Sequence, residues 1–156
     1  MAARTPVRVR IKKVMKDAQE RTLVVLGTPK RTLGIWIGPA EGQAISVALE
    51  GMRFPRPMTH DLLVGALAEV GWEIEKLVVG DLRETTFYGE LHVRSGSRRK
   101  VLDCRPSDGI ALALRAKAPI YVAPHVFEAA LTPPAQEPAA KPPATRSGRR
   151  SRPTSA

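Results

Sequence analysis

Cysteine is almost absent from this chain. Cys104 stands alone among 156 residues, so no internal disulfide can form, and no Cys/His cluster has zinc-site spacing. Such usage fits a reducing compartment, and a cytoplasmic location is expected. Long apolar runs are also missing. Leu23–Leu26 is among the longest, far short of the roughly 20 residues a membrane helix needs. The basic start, Met1–Lys16, lacks an apolar signal-peptide core. No internal repeat is visible. Acids are in short supply: fifteen Asp and Glu face twenty-five Lys and Arg, giving a formal net charge of +10. That balance favours polyanionic partners through long-range attraction.

A hydrophobic content of 43% in a chain of this length supports one domain with a real core, expected over Val7–Leu131. From Thr132 to Ala156 the sequence is rich in Pro, Ala and Arg and has no aliphatic residue larger than Ala, so it cannot bury enough surface to offset ordering entropy. A disordered basic tail is expected there.

Within the domain, Val7-Arg8-Val9-Arg10-Ile11-Lys12 alternates with period two, which predicts a strand with an apolar inner face and a basic outer one. Strands at Thr22–Leu26 and Leu33–Ile37 flank a hairpin-like Gly27-Thr28-Pro29-Lys30. Pro39 opens a helix with Ala44, Ile45, Ala48 and Leu49 as its apolar stripe, closed by Gly51. Thr59 is placed to cap a second helix lined by Leu62, Leu63, Ala66, Leu67 and Val70, with Gly71 as its stop. Strands follow at Ile74–Leu82, Thr86–Arg94 and Lys100–Arg105, then a helix over Asp108–Lys117, a strand at Ile120–Val122 and a last helical segment at Val126–Leu131. Trp36 and Trp72 sit among aliphatic residues and are expected to pack, whereas Tyr88 lies on the polar face of its strand. Hairpin-joined strands with three to four helices indicate an α+β domain with a mainly antiparallel sheet, not a doubly wound parallel one.

The densest chemistry lies in Val101-Leu102-Asp103-Cys104-Arg105-Pro106-Ser107-Asp108-Gly109-Ile110-Ala111, a strand turning directly into a helix. Alternation puts Asp103 and Arg105 on one face, and backbone N–H donors at the helix start favour an anion. Phosphate chemistry is the first reading. A purely structural reading uses the same residues: Ser107 as a cap, Asp108 complementing the helix dipole, Arg105 paired with Asp103.

Three segments, Ile35–Ile45, Arg56–Leu62 and Asp103–Ala113, with Phe87-Tyr88 between the last two, together resemble the bifunctional nuclease domain of bacteria and plants. The resemblance covers most of Val7–Leu131 and implies an α+β domain that self-associates, as a dimer for example, and a nuclease active on both DNA and RNA. Gly42 and Gly109 depart from it, standing where Ala is expected, and the Arg8-Arg10-Lys12 strand is unusually basic.

Phosphodiester hydrolysis needs an activated water and positive groups facing the phosphate. Asp103 and Asp108, with Glu41 as a third carboxylate, are the candidate ligands of Mg2+ or another divalent cation. Arg56, Arg105 and Ser107 are candidates for binding phosphate oxygens, with Tyr88 as a stacking residue. His60 is the candidate general base or acid, and Asp61 could orient it. Bland roles compete: His60 and Glu41 at helix starts, His92 and His125 on the surface. A non-catalytic nucleic-acid binder, or an oligomeric regulatory module holding a small anionic ligand, is the alternative function. Removing Thr132–Ala156 should weaken nucleic-acid binding and flatten its salt dependence while leaving cleavage intact; loss of cleavage on truncation would contradict that division.

Overall fold

A computed structural model of the chain describes residues 5–130. Leu131 and the expected tail lie outside the described residues. The order is β1 (Val7–Lys16), β2 (Thr22–Gly27), β3 (Thr32–Ile37), α1 (Pro39–Leu49), α2 (Thr59–Glu69), β4 (Glu73–Arg83), β5 (Thr86–Ser95), β6 (Arg98–Cys104), α3 (Pro106–Ala116), β7 (Ile120–Val122) and α4 (Pro124–Ala130). The strands form one seven-stranded sheet in the order β3-β2-β1-β7-β4-β5-β6. Neighbours are antiparallel except β7, which runs parallel to β4 over Leu77↔Ile120 to Val79↔Val122. The expected α+β class is what the chain adopts.

The sheet is two hairpin-linked meanders, β1-β2-β3 and β4-β5-β6, joined by three-residue β7. Its buried face carries Val9, Val24, Leu26, Leu33, Ile35, Leu77, Val79, Ile120 and Val122. Onto them pack Ile45 of α1, Ile110, Ala111 and Ala113 of α3, and Val126 and Phe127 of α4. Helix α3 is the keystone, with seven of its eleven residues buried. Fully burying Ile110 and Leu112 contributes about 1.5–3 kcal/mol each.

Several expectations need correction. Helix α3 starts at Pro106, whose fixed φ suits the first helical position, so Arg105 becomes the N-cap and Ser107 lies buried in the first turn without a capping bond. Likewise α2 begins at Thr59 itself, and the cap bond runs from the Met58 N–H to Asp61 Oδ2 at 2.9 Å. None of α2's residues is fully buried; Val64 and Leu67 pack against the cluster of Leu91, Val93 and Leu112, while Leu62, Leu63 and Val70 stay exposed. Leu49 of the α1 stripe is exposed too. Trp36 is 55% exposed instead of packed, because its neighbours Ile35 and Ile37 take the inward side of β3.

The two glycine departures are points of close approach. A Cβ on Gly42 would collide with the Thr22 side chain of β2, and one on Gly109 with Leu77 of β4. In Gly65 on α2, by contrast, a Cβ would meet open space. Gly65→Ala is therefore expected to stabilise the fold by about 0.5–1 kcal/mol through helix propensity. Gly42→Ala, with the same propensity gain, should destabilise it by about 1–2 kcal/mol through overpacking. Urea unfolding of both variants checks this, and a stabilised Gly42→Ala would contradict the packing argument.

Candidate functional site

Three helices begin on the same side of the sheet, and the first turn of each carries a charged or titratable side chain: Glu41 on α1, His60 on α2 and Asp108 on α3. Arg105, the N-cap of α3, stands among them. The helix starts line an open cavity of about 670 Å³, walled by β6 through Leu102 and floored by α3 through Leu112. Phe54, Met58 and Leu63 make much of the remaining lining apolar.

Asp108 is the hub. His60 Nε2 lies 3.0 Å from its Oδ1, across 48 residues of sequence. Arg105 donates from Nε to Asp108 Oδ2 at 2.7 Å, from Nη2 to Oδ1 at 3.2 Å, and from Nη1 to Glu41 Oε1 at 3.0 Å. Burial pushes the Asp108 carboxyl up, but the hydrogen bonds and charges of Arg105 and His60 outweigh it and hold the group below the ordinary carboxylate range. The same hydrogen bond to Asp108 raises the already high Arg105 value. An ionised carboxylate only accepts, so His60 Nε2 carries the proton in the neutral ring and Nδ1 is the free acceptor.

A second layer lies beneath. Arg115, in the last turn of α3 and largely buried, donates from Nε to Asp61 Oδ1 at 2.6 Å and from Nη1 to the carbonyls of Ala44 at 3.1 Å and Ala111 at 2.9 Å. The Met58 N–H is the leading cause that keeps the Asp61 carboxyl low, with Arg115 adding to it. One guanidinium therefore ties α1, α2 and α3 together under the titratable cluster. Arg115 was missed in the sequence; its one signal is an Arg set amid Ala and Leu on an otherwise apolar helix.

The other expected site residues fall in different places. Asp103 is exposed at the cavity rim and forms no hydrogen bond or ion pair among the described residues. Its cross-strand partner is Glu90, and the structural pairing expected with Arg105 does not form, since that guanidinium turns to Asp108 and Glu41. Arg56 is exposed on the loop before α2, outside the cavity lining. Ser107 is buried and does not line it. Tyr88 is half-buried on β5 with the Arg83 guanidinium 4.5 Å from its ring centroid, away from the cavity. Asp61 meets Arg115, not His60. Among the described residues no three His, Cys, Asp or Glu are gathered closely enough to hold a metal ion, so Asp103, Asp108 and Glu41 do not form a ready three-carboxylate site.

Cys104 is half-buried, and burial, helped by Asp103 and Asp108, pushes its thiol up to about 11, so it stays protonated and is no nucleophile. His92 differs from its expected surface role: its Nε2 is buried without a hydrogen-bond partner among the described residues, 3.5 Å from Glu90 Oε2.

Comparison with known proteins places the chain in a family. The profile of the bifunctional nuclease domain matches residues 24–134. An uncharacterized protein of Mycobacterium tuberculosis strain H37Rv is 42% identical over 92 residues, covering 59% of this chain and 54% of that protein. Bifunctional nuclease 1 of Oryza sativa subsp. japonica is 28% identical over 78 residues, covering 48% of this chain and 24% of the rice protein. Bifunctional nuclease of Oryza minuta matches to the same extent. The chain thus spans about half the length of the mycobacterial relative and a quarter of the plant ones.

Arg115→Met should cost about 2–3 kcal/mol, because it removes three charge-assisted hydrogen bonds that join α1, α2 and α3 and takes the cation away from Asp61. The low-lying carboxyls of Asp61 and Asp108 contribute stability that is fully present above their ordinary range and lost as pH falls through their depressed folded values. The melting temperature should therefore drop below about pH 4. Asp61→Asn should make that acid slope shallower; an unchanged slope would show that the clamp carries no linkage.

Proposed function

The chain belongs to the bifunctional nuclease domain family, and from that premise we propose that it hydrolyses phosphodiester bonds in DNA and RNA with limited sequence selectivity, using His60 as its proton-transfer group. The observation that carries this reading is the His60–Asp108 contact of 3.0 Å, made between two helix starts at a cavity wall. Asp108 fixes the imidazole so that Nδ1 accepts the proton of an attacking water. Arg105 is 66% exposed at its side chain and spends three of its five N–H groups on Asp108 and Glu41, which leaves two for phosphate oxygens as charge builds in the transition state. Glu41 positions that guanidinium, and the N-termini of the three helices add favourable dipoles. Arg56, exposed on the loop between the lining residues Phe54 and Met58, is the second phosphate contact in this reading.

Self-association belongs to the same proposal and is supported by the uncovered Leu62, Leu63 and Val70 of α2. No helix among the described residues is long and apolar enough to cross a membrane. The apolar part of the cavity lining favours one second reading, a regulatory module that holds a small anionic ligand there without turning it over.

Single-turnover cleavage of labelled DNA and RNA by wild type, His60→Gln and Asp108→Asn separates the readings. Loss of about 10²–10⁴-fold in rate, with binding largely retained, is expected for both variants. Cleavage equal to wild type would remove His60 and Asp108 from the chemistry, and binding without turnover in every form would favour the regulatory reading. Mg2+ and EDTA arms are informative too. A cation held by Asp103, Asp108 and Glu41 requires EDTA-sensitive turnover, whereas proton transfer through His60 alone proceeds in both.

A further inference from the structure

The positive charge of the described chain is not at the cavity. Residues 5–38, which hold β1, β2 and β3, contain eight Lys and Arg against two Asp and Glu, whereas residues 39–130 contain eleven against twelve. The cavity's two arginines are also engaged, Arg105 with Asp108 and Glu41, Arg115 with Asp61. In the first meander, by contrast, Arg8, Arg10, Lys12, Lys13, Lys30 and Arg31 make no side-chain hydrogen bond or ion pair among the described residues.

Register puts several of these groups on one surface. Val24 and Leu26 of β2 are fully buried, so Leu23, Val25 and Gly27 turn to the opposite face. Across the strands, Arg10 lies opposite Gly27 and Thr32, Lys13 opposite Val25 and Gly34, and Met15 opposite Leu23 and Trp36. A bulge between Ile11 and Lys13 keeps the cations facing outward along β1. Trp36, 55% exposed, closes the row, with the Arg21 guanidinium 5.1 Å from its ring centroid. The Leu23 side chain, opposite the indole, leans over Gly34, where a Cβ would come within 3.1 Å of its Cδ1.

We propose that this outer face of β1-β2-β3 is a docking platform for single-stranded nucleic acid, separate from the cavity: unpaired cations track the phosphates and a base stacks on Trp36. Charge complementarity selects a polyanion, and the open aromatic selects an unstacked base over a duplex. The platform complements the proposed nuclease reaction but does not depend on it, and β1 lies before the family match at residues 24–134.

The test is binding of the full chain to a fluorescent 20-nucleotide oligo-dT and to the same length of duplex, by anisotropy across a salt series in EDTA, with the probe verified as uncut. Neutralising Arg8, Arg10 and Lys13 together to Gln should weaken oligo-dT binding at least tenfold near 0.1 M salt and lower the slope of log K against log salt by about 2. Trp36→Ala should weaken oligo-dT about tenfold, leave the salt slope unchanged and barely affect duplex; Trp36→Phe should restore most of the loss. Unchanged affinity in both variants would overturn the platform. So would phosphatidylserine vesicles that bind with the same dependence on the three cations while Trp36→Ala has no effect on oligo-dT, since that pattern belongs to a lipid surface. Because binding is read without turnover, an inactive protein that still shows the Trp36 effect would sink the nuclease reading and keep the platform.

Discussion

The carboxylate of Asp108 is where the separate parts of this molecule meet. It sits in the first turn of the most buried helix and receives an imidazole from α2 and a guanidinium that also holds α1. Without it, His60 would lose its acceptor and Arg105 would be left with Glu41 alone beside three positive helix ends. The Arg115 clamp below serves the opposite need, supplying a cation to Asp61 and to two carbonyls. Stacked one above the other, the two junctions fix the spacing of the helices, and the cavity is the space they leave open.

The neutrality of that cavity has a consequence for how a polyanion would be handled. Charges that are mutually satisfied orient groups well but attract little at a distance, because their fields cancel beyond a few ångströms. Long-range attraction would then fall to the first meander, where Arg8, Arg10, Lys12, Lys13, Lys30 and Arg31 have no side-chain partner among the described residues. On the proposed platform, capture and positioning would be separated along the sheet: the outer face carries Arg10 and Lys13 at β1-β2-β3, while Glu90 and Asp103 stand side by side on β5-β6.

Much of the architecture was legible in the sequence because it is locally encoded. Period-two alternation over Val7–Ile11, the prolines at 39 and 106, and the glycines at 51 and 71, both at positive φ, mark strands, helix starts and helix stops without reference to the rest of the chain. The meeting of Glu41, His60, Arg105 and Asp108 was foreseen from chemistry, but its wiring was not. Because α3 begins at Pro106, Arg105 is its N-cap and Asp108, three residues on, lies within the same first turn and takes the guanidinium. Exposure was the least readable property. Leu62, Leu63 and Val70 look like a core stripe, and Trp36 looks like a core aromatic, yet each is uncovered because only neighbours distant in sequence decide which face of an element is roofed.

β7 comes late in the chain, at Ile120–Val122. Among the described residues, its three residues are the one strand that joins, within the sheet, two meanders otherwise built from near neighbours in sequence. Each meander can gather itself early from local hairpins, but the seam between them waits for residues 120–122, close to the end of the described chain. Without those residues nothing pairs the facing edges of β1 and β4, so closure of the sheet rests on its shortest strand.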